Sequence, residues 1–102
     1  MAYVDVYFKN QRTSSVPLKE AESRIGRKPE NEIALPDLTV SRLHGAIHFV
    51  ADGRYRTVEN YSSKNPILLN GRPLRKAEIL FDGDRIGVGA YVLLYHENRK
   101  SA

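Results

Sequence analysis

The chain has 102 residues, of which 41% are hydrophobic and 27% are charged, a composition typical of one globular domain and not of a disordered segment. It contains no cysteine, which excludes disulfides, thiolate metal sites and cysteine nucleophiles. The formal charge of +4, from 16 basic and 12 acidic residues, favours acidic partners such as nucleic acid, anionic lipid or phosphorylated protein.

The first third of the chain predicts short strands separated by turns, because β-branched and aromatic residues alternate there with turn-forming ones. The predicted strands are residues 3–8, 16–18, 20–25 and 33–35. Residues 9–15 are predicted as a polar turn, and Pro17 places the second strand at a sheet edge. Glycine, proline and asparagine make residues 26–37 a loop around the fourth strand.

The remaining strands follow one another as hairpins. They are predicted at residues 46–51, 55–59, 67–69, 72–74, 85–88 and 90–96. Asp52-Gly53 and Asn70-Gly71 are strong hairpin signals, because a two-residue turn needs a positive φ at both positions. Gly87, inside a predicted strand, is also interpreted as a requirement of backbone conformation.

No stretch of ten or more residues keeps a helical period with a cap at each end. The sequence therefore predicts an all-β fold, an antiparallel β-sandwich of many short strands. In such a sandwich the loops at one end cluster in space. Residues 26–29, 39–44 and 61–66 are expected to form one surface there.

Residues 39–44, Thr-Val-Ser-Arg-Leu-His, concentrate chemistry in one of these loops. The Ser41 hydroxyl donates one hydrogen bond and the Arg42 guanidinium donates several in a planar fork, which suits an anion. The alternative is that residues 39–44 form only a polar connection between two strands. A hydrolase using Ser41 and His44 is disfavoured, because no partner carboxylate or oxyanion-hole motif accompanies them.

Five motifs carry a resemblance to a known family. They are Ile25-Gly26-Arg27, residues 40–47, Ser63-Lys64-Asn65, Leu69-Asn70-Gly71 and residues 80–89. In this order and spacing they resemble the forkhead-associated (FHA) domain, a phosphothreonine-binding β-sandwich of the SMAD/FHA type. The resemblance implies one FHA-like domain over residues 1–102, as part of a longer signalling protein.

The resemblance also implies which residues form the site. The phosphate-binding residues are Arg27, Ser41, Arg42, Ser63 and Lys64. Those with a structural role in the loops are Gly26, His44 and Asn70. Asn65 matches the residue that holds the peptide backbone, and an amide suits this role because it donates and accepts at once. A phosphothreonine carries about −1.5 to −2 charges and three acceptor oxygens, so it needs donors from several loops.

The chain departs from the family pattern at Asn65-Pro66-Ile67, where the family has Asn-Gly-Thr. Proline restricts the residue before it to extended geometry. The Asn65 amide is therefore expected to point differently, which weakens or alters recognition of the peptide backbone. Ile67 is expected to turn into the core.

The function implied is a non-enzymatic module that docks a phosphothreonine-containing segment of a partner, a Ser/Thr kinase substrate, with no cofactor and no metal. The alternative is a diverged FHA-like domain used for phosphate-independent interaction or oligomerisation. Nucleic-acid binding is disfavoured because the basic residues are few and lack interleaved aromatics. The sequence does not define the oligomeric state.

A cytoplasmic location is expected, or a nuclear one if the source is eukaryotic. No apolar run approaches the roughly 20 residues that cross a membrane. The first residues also lack the basic and apolar regions of a signal peptide. No membrane partner is therefore expected.

Overall fold

A computed structural model of the chain describes residues 2–52 and 54–97, and all regular secondary structure in these ranges is β-strand. The strands are β1 (Tyr3–Phe8), β2 (Gln11–Pro17), β3 (Glu22–Gly26), β4 (Ile33–Ala34), β5 (Gly45–Val50), β6 (Tyr55–Asn60), β7 (Leu68–Leu69), β8 (Arg72–Pro73), β9 (Glu78–Ile79), β10 (Arg85–Val88) and β11 (Tyr91–His96). They form a six-stranded sheet of order β2-β1-β11-β10-β7-β8 and a five-stranded sheet of order β4-β3-β5-β6-β9. The predicted all-β sandwich is confirmed.

The hydrophobic core lies between the two sheets, and the strand alternation shows which face each residue takes. In β11, Tyr91, Leu93 and Tyr95 are buried, whereas Val92 between them is exposed. The sheets are antiparallel except for β3 and β4, which pair in parallel through Ile25 and Ile33. The chain leaves β3 through a loop at one end of the sandwich, and β4 then runs beside β3 in the same direction.

The structure differs from the prediction in β2 and β9. Lys9 and Asn10, with φ of 51° and 66°, make a two-residue turn, and β2 begins immediately after it at Gln11. The prediction of a polar turn over residues 9–15 is therefore wrong. β2 lies at a sheet edge and its first five residues are exposed, so the segment carries no apolar alternation. The two-residue strand β9 was not predicted.

The two predicted hairpin turns differ in outcome. Asn70 and Gly71 have φ of 51° and 84° and connect β7 to β8 directly, which confirms that turn. Strands β5 and β6 pair as predicted, but their last partners are Val50 and Tyr55. Four residues, 51–54, therefore connect them instead of two, and Gly53 lies outside the described residues.

Backbone hydrogen bonds bring three loops together at one end of the sandwich. The Arg27 N–H donates to the Ser41 carbonyl at 3.0 Å, and the His44 N–H donates to the Ile25 carbonyl at 2.7 Å. The Tyr61 N–H in turn donates to the His44 carbonyl at 2.9 Å. The loops after β3, β4 and β6 are thus held side by side. The described part of the chain contains no helix long and apolar enough to cross a bilayer.

Candidate functional site

One groove lies between these three loops. Its lining residues are Arg27, Leu38, Thr39, Val40, Ser41, Arg42, Tyr61, Ser62, Ser63, Lys64 and Asn65. The groove brings together all six residues that the sequence assigns to phosphate or peptide binding. Three basic side chains and three serine hydroxyls around one opening make it suitable for an anion.

The Arg27 side chain is anchored at one nitrogen and open at the others. Its Nε donates to the Val40 carbonyl at 3.0 Å, and the residue is half-buried. Within residues 2–52 and 54–97 no carboxylate forms an ion pair with it. The two terminal nitrogens therefore keep their N–H donors for a ligand, in the planar arrangement that fits a phosphate.

The Ser41 hydroxyl lies across the groove and contacts Ser62, whose side chain is buried. The two Oγ atoms are 2.8 Å apart, and Ser62 Oγ also accepts the Asn65 N–H at 3.2 Å. If Ser62 donates its proton to Ser41, the Ser41 proton is free to point into the groove. Ser62 was not among the predicted site residues, and its position beside Ser63 carried no signal of burial.

His44 lies behind the groove, fully buried, and holds two of the loops. Its Nδ1 accepts the Ser41 backbone N–H at 2.9 Å, and its Nε2 lies 2.6 Å from the Asn65 carbonyl oxygen. Nδ1 must therefore be unprotonated and Nε2 must carry the proton. Burial lowers the pKa of His44, against the opposing effect of the Asn65 carbonyl. The imidazole is neutral in the folded protein.

This arrangement predicts that stability falls as the pH drops from about 7 to 5. The folded pKa of His44 lies below its ordinary value of about 6.5, so the unfolded chain binds more protons once the pH passes below that value. The lowered pKa values of Glu32 and Asp37, caused mainly by hydrogen bonds from Arg24 and Thr39 respectively, affect stability only at more acidic pH.

Denaturant unfolding at pH 7 and pH 5, with imidazole NMR, measures this effect. In a variant with His48 and His96 both replaced by Gln, the imidazole resonances report on His44 alone. A His44 imidazole that titrates at an unshifted pKa would contradict the prediction.

Asn31 and Gly26 join the loops after β3 and β4. Asn31 is buried, and its Nδ2 donates to the carbonyls of Lys28 and Arg42, each at 2.9 Å. Gly26 has no positive φ, but a methyl group there would overlap the Arg42 carbonyl oxygen and stand 2.5 Å from Asn31 Nδ2. Glycine at this position permits close approach of the two backbones. Asn31 was not predicted, because it resembles an ordinary turn residue.

Asn60 organises the third loop from the end of β6. Its Oδ1 accepts the N–H groups of Ser62 at 3.2 Å and Ile67 at 3.1 Å, and its Nδ2 donates to the Ser62 carbonyl at 2.9 Å. Ile67 is fully buried in the core. The loop is therefore closed at both ends despite the absence of glycine and threonine at positions 66 and 67. An asparagine followed by serines is an Asx-turn signal that could have identified this residue.

Asn65 is held at three of its atoms. Its N–H contacts Ser62, its carbonyl accepts from His44, and its Nδ2 donates to the Thr39 carbonyl at 3.0 Å. Its Oδ1 accepts no hydrogen bond from the described residues. The Asn65 amide thus uses one of its two Nδ2–H donors on the neighbouring loop, and its Oδ1 acceptor is open.

Arg42, Ser63 and Lys64 are exposed at the rim of the groove. Arg42 forms no ion pair with Asp37 or Glu30, which was the alternative reading of this residue. Asp37 instead accepts from both the N–H and the hydroxyl of Thr39. These exposed side chains can add charge and donors to an anion already bound deeper in the groove.

Asn70 lies outside the groove. Its Nδ2 donates to Asp84 Oδ1 at 3.0 Å, and its Oδ1 accepts the Arg85 N–H at 2.9 Å. These bonds hold the turn between β7 and β8 against the start of β10. Asn70 acts on the sheet and not on the groove.

Two apolar side chains at the groove were not predicted. Leu38 is 91% exposed at the tip of its loop, and Tyr61 is partly exposed on the opposite side. The Tyr61 hydroxyl donates to Glu59 Oε1 at 3.2 Å, which fixes the ring. A leucine within an otherwise polar loop could have suggested contact with a ligand.

The sandwich and its end groove define a module that binds a phosphorylated peptide through its loops. The sequence profile of the FHA domain matches residues 23–89, and the chain belongs to this family. FHA domains are modules that dock phosphothreonine-containing segments of partner proteins. The resemblance predicted from the five motifs is confirmed.

Relatives of the chain include bacterial proteins that are named as inhibitors or regulators. The chain is 36% identical over 76 residues to an oxoglutarate dehydrogenase inhibitor of Corynebacterium diphtheriae, covering 74% of this chain and 51% of that protein. This chain thus spans about half the length of that inhibitor.

Solved structures agree with this assignment. EmbR of Mycobacterium tuberculosis, in complex with a low-affinity phosphopeptide, aligns with a TM-score of 0.85 at 27% identity, covering 99% of this chain and 25% of that one. An FHA domain studied for phosphothreonine-dependent interactions aligns with a TM-score of 0.81 at 26% identity, covering 96% and 99%.

Proposed function

We propose that the groove binds the phosphothreonine of a partner segment, with Arg27 and Ser41 contacting the phosphate directly. The observation that carries this proposal is the convergence of the two free Arg27 nitrogens and the Ser41 hydroxyl on one opening. Charge-assisted and bidentate hydrogen bonds are the strongest that such a site can offer. Arg42, Ser63 and Lys64 surround this pair at the rim and add to the attraction.

Asn65 holds the main chain of the bound segment through its free Oδ1, which accepts a peptide N–H. Thr39 takes one of the two Nδ2–H donors of Asn65 and so fixes the plane of the amide. The second Nδ2–H and Oδ1 stay open to the ligand. Asn65 therefore stays part of the proposed site although Pro66 follows it.

Replacing Asn65 with alanine should weaken phosphopeptide binding about tenfold, because one ligand hydrogen bond and one loop contact are lost. Isothermal titration with a short phosphothreonine peptide measures the change. Asn70→Gly is the matched control, since it removes an asparagine outside the groove and glycine tolerates the φ of 51°. An Asn65→Ala variant with unchanged affinity would exclude Asn65 from the site.

The proposed function is tested with four versions of one peptide, carrying phosphothreonine, phosphoserine, threonine or glutamate at the same position. Only the two phosphorylated peptides should bind measurably. Burial of the threonine methyl group is worth about 0.8 kcal/mol, so phosphothreonine should bind roughly fourfold more tightly than phosphoserine. Leu38, which is exposed at the groove, supplies apolar surface for this methyl group.

The same experiment decides between this function and a phosphate-independent one. Equal binding of the phosphorylated and unphosphorylated peptides would favour a diverged domain that recognises protein surface alone. The Arg27 guanidinium favours the phosphate-dependent function, because its two terminal nitrogens form no ion pair within the described residues and present paired donors to the groove.

A non-enzymatic role is supported by the contacts of His44. A serine nucleophile needs a base within hydrogen-bond reach of its hydroxyl. Here Nδ1 of His44 accepts the backbone N–H of Ser41, and Nε2 faces the Asn65 carbonyl. Neither ring nitrogen is available to the Ser41 hydroxyl. We therefore assign His44 to loop structure and not to catalysis.

The partner is proposed to be a protein phosphorylated on threonine by a Ser/Thr kinase. Nucleic acid is disfavoured as the partner, because the groove has only three basic residues and they surround one opening. A nucleic-acid backbone would need basic residues along an extended surface. A cytoplasmic location and a role within a longer signalling protein stay predictions.

A further inference from the structure

A row of residues crosses the outer face of the six-stranded sheet in register. Tyr7 of β1 pairs with Val92 of β11, Val92 pairs with Gly87 of β10, and Gly87 pairs with Leu68 of β7. Val92 and Leu68 expose 39% and 42% of their surface. We call Tyr7, Val92, Gly87 and Leu68 the lateral row. It is apolar surface on the face opposite the core.

Gly87 forms the floor of a depression in the lateral row. Its φ is not positive, and a Cβ there would meet no atom closer than 3.4 Å. The expectation that backbone conformation requires this glycine is therefore wrong, and close packing does not require it either. Glycine weakens a strand interior and is found where another chain approaches the backbone closely. The depression lies between the Val92 and Leu68 side chains.

The lateral row is continuous with the phosphate groove. Leu68, Gly87 and Val92 line the same cavity as Thr39 and Asn65, which are groove residues. Gly87 is separated from the end of the groove by only two residues, the last of β10 and the first of the turn after it. This separation is about 7 Å. A peptide that leaves the groove over Asn65 therefore reaches the row within two or three extended residues.

The charges around the lateral row select the kind of segment that can bind. Lys9 and Arg85 line the cavity beside it. The carboxylate of Asp5 on this face is nearly buried and engaged by His96 and Ser15. Two copies of the chain docked face to face would oppose their lysines and arginines, which disfavours a second copy as the occupant. An acidic segment is attracted.

We propose that the lateral row binds an apolar and acidic segment of the same phosphoprotein whose phosphothreonine occupies the groove. This inference rests on the proposed function. The row spans four strands, about 14 Å, which matches four to five extended residues. Alternating apolar side chains would fit on either side of Gly87, with acidic side chains facing Lys9 and Arg85. Selectivity would then come from a second contact outside the phosphate groove.

The test compares a short probe with longer ones. The short probe is a phosphothreonine peptide with two residues on each side, too short to reach the lateral row, selected from a degenerate library by binding to this chain. Two longer probes add six residues of alternating leucine and glutamate, one before and one after the short sequence. We expect one of the two extensions to tighten binding about tenfold, and the same extension with lysine in place of glutamate to give no gain.

Three variants test whether the gain in affinity comes from the lateral row. Leu68→Glu and Gly87→Val should each remove it while changing affinity for the short probe by less than about twofold. Ile79→Glu is the matched control, because Ile79 is 41% exposed on the other sheet, and it should keep the gain. Thermal unfolding confirms that each variant folds.

The inference is overturned if neither extension tightens binding, or if the gain survives both Leu68→Glu and Gly87→Val. If no phosphothreonine peptide of the library binds, the proposed function is overturned and this inference with it. Binding of the short probe without any gain overturns the inference alone.

Discussion

Replacing Arg27 with alanine is expected to weaken phosphothreonine-peptide binding at least about thirtyfold, because truncating one partner of a desolvated charge pair costs about 2–5 kcal/mol or more. Arg27 is the only basic residue among the predicted phosphate contacts that is half-buried, and its Nε bond to the Val40 carbonyl holds its side chain. Arg42 and Lys64 are exposed at the rim, where solvent screens their attraction for a phosphate. Isothermal titration of the short phosphopeptide measures the loss.

Two control variants separate charge, geometry and folding. Arg24→Ala removes an exposed arginine from β3, the strand that precedes Arg27, and should leave binding unchanged; the partner of Arg24 is Glu32 at 3.5 Å. Arg27→Lys keeps the charge but loses the planar pair of donors, so its affinity should fall between the wild type and Arg27→Ala. Binding of Arg27→Ala within about threefold of the wild type would exclude direct phosphate contact by Arg27.

The sequence predicted the parts of the fold whose signals are local. β10 and β11 follow from alternation of buried and exposed residues, and the turn at Asn70-Gly71 follows from the φ values that it requires. The start of β2 could not be predicted, because an edge strand with exposed residues has no alternating pattern. The connection between β5 and β6 depends on where strand pairing stops, which no local signal determines.

The groove was predicted from motifs, whereas its supporting hydrogen bonds were not. Asn31 and Ser62 lie in loops and have the composition of solvated turns, and Asn60 ends β6. They find their partners only when β3, β5 and β6 bring the loops together. A polar residue in a loop is usually exposed, so the sequence alone gives no reason to expect burial of Asn31 and Ser62.

Gly26→Ala is expected to destabilise the fold by about 2–3 kcal/mol and to weaken phosphopeptide binding as well, because overpacking of a tight contact costs about 1–3 kcal/mol and the displaced groups lose hydrogen bonds. The added methyl group would overlap the Arg42 carbonyl oxygen and press on Asn31 Nδ2. These two groups form the hydrogen bond that joins the loops after β3 and β4. The backbone cannot yield as a flexible side chain would.

Denaturant unfolding and peptide titration together test this prediction. Gly87→Ala is the matched control: it also adds a methyl group to a strand glycine without positive φ, but the nearest atom is 3.4 Å away. Its stability should stay within about 0.5 kcal/mol of the wild type or rise slightly, since alanine restricts the unfolded chain.

Two outcomes would contradict the prediction for Gly26→Ala. Wild-type stability of this variant would mean that the loops after β3 and β4 can move apart without cost. If its stability falls while peptide affinity at saturating folded protein is unchanged, Gly26 maintains the fold but not the position of Arg27 relative to Ser41.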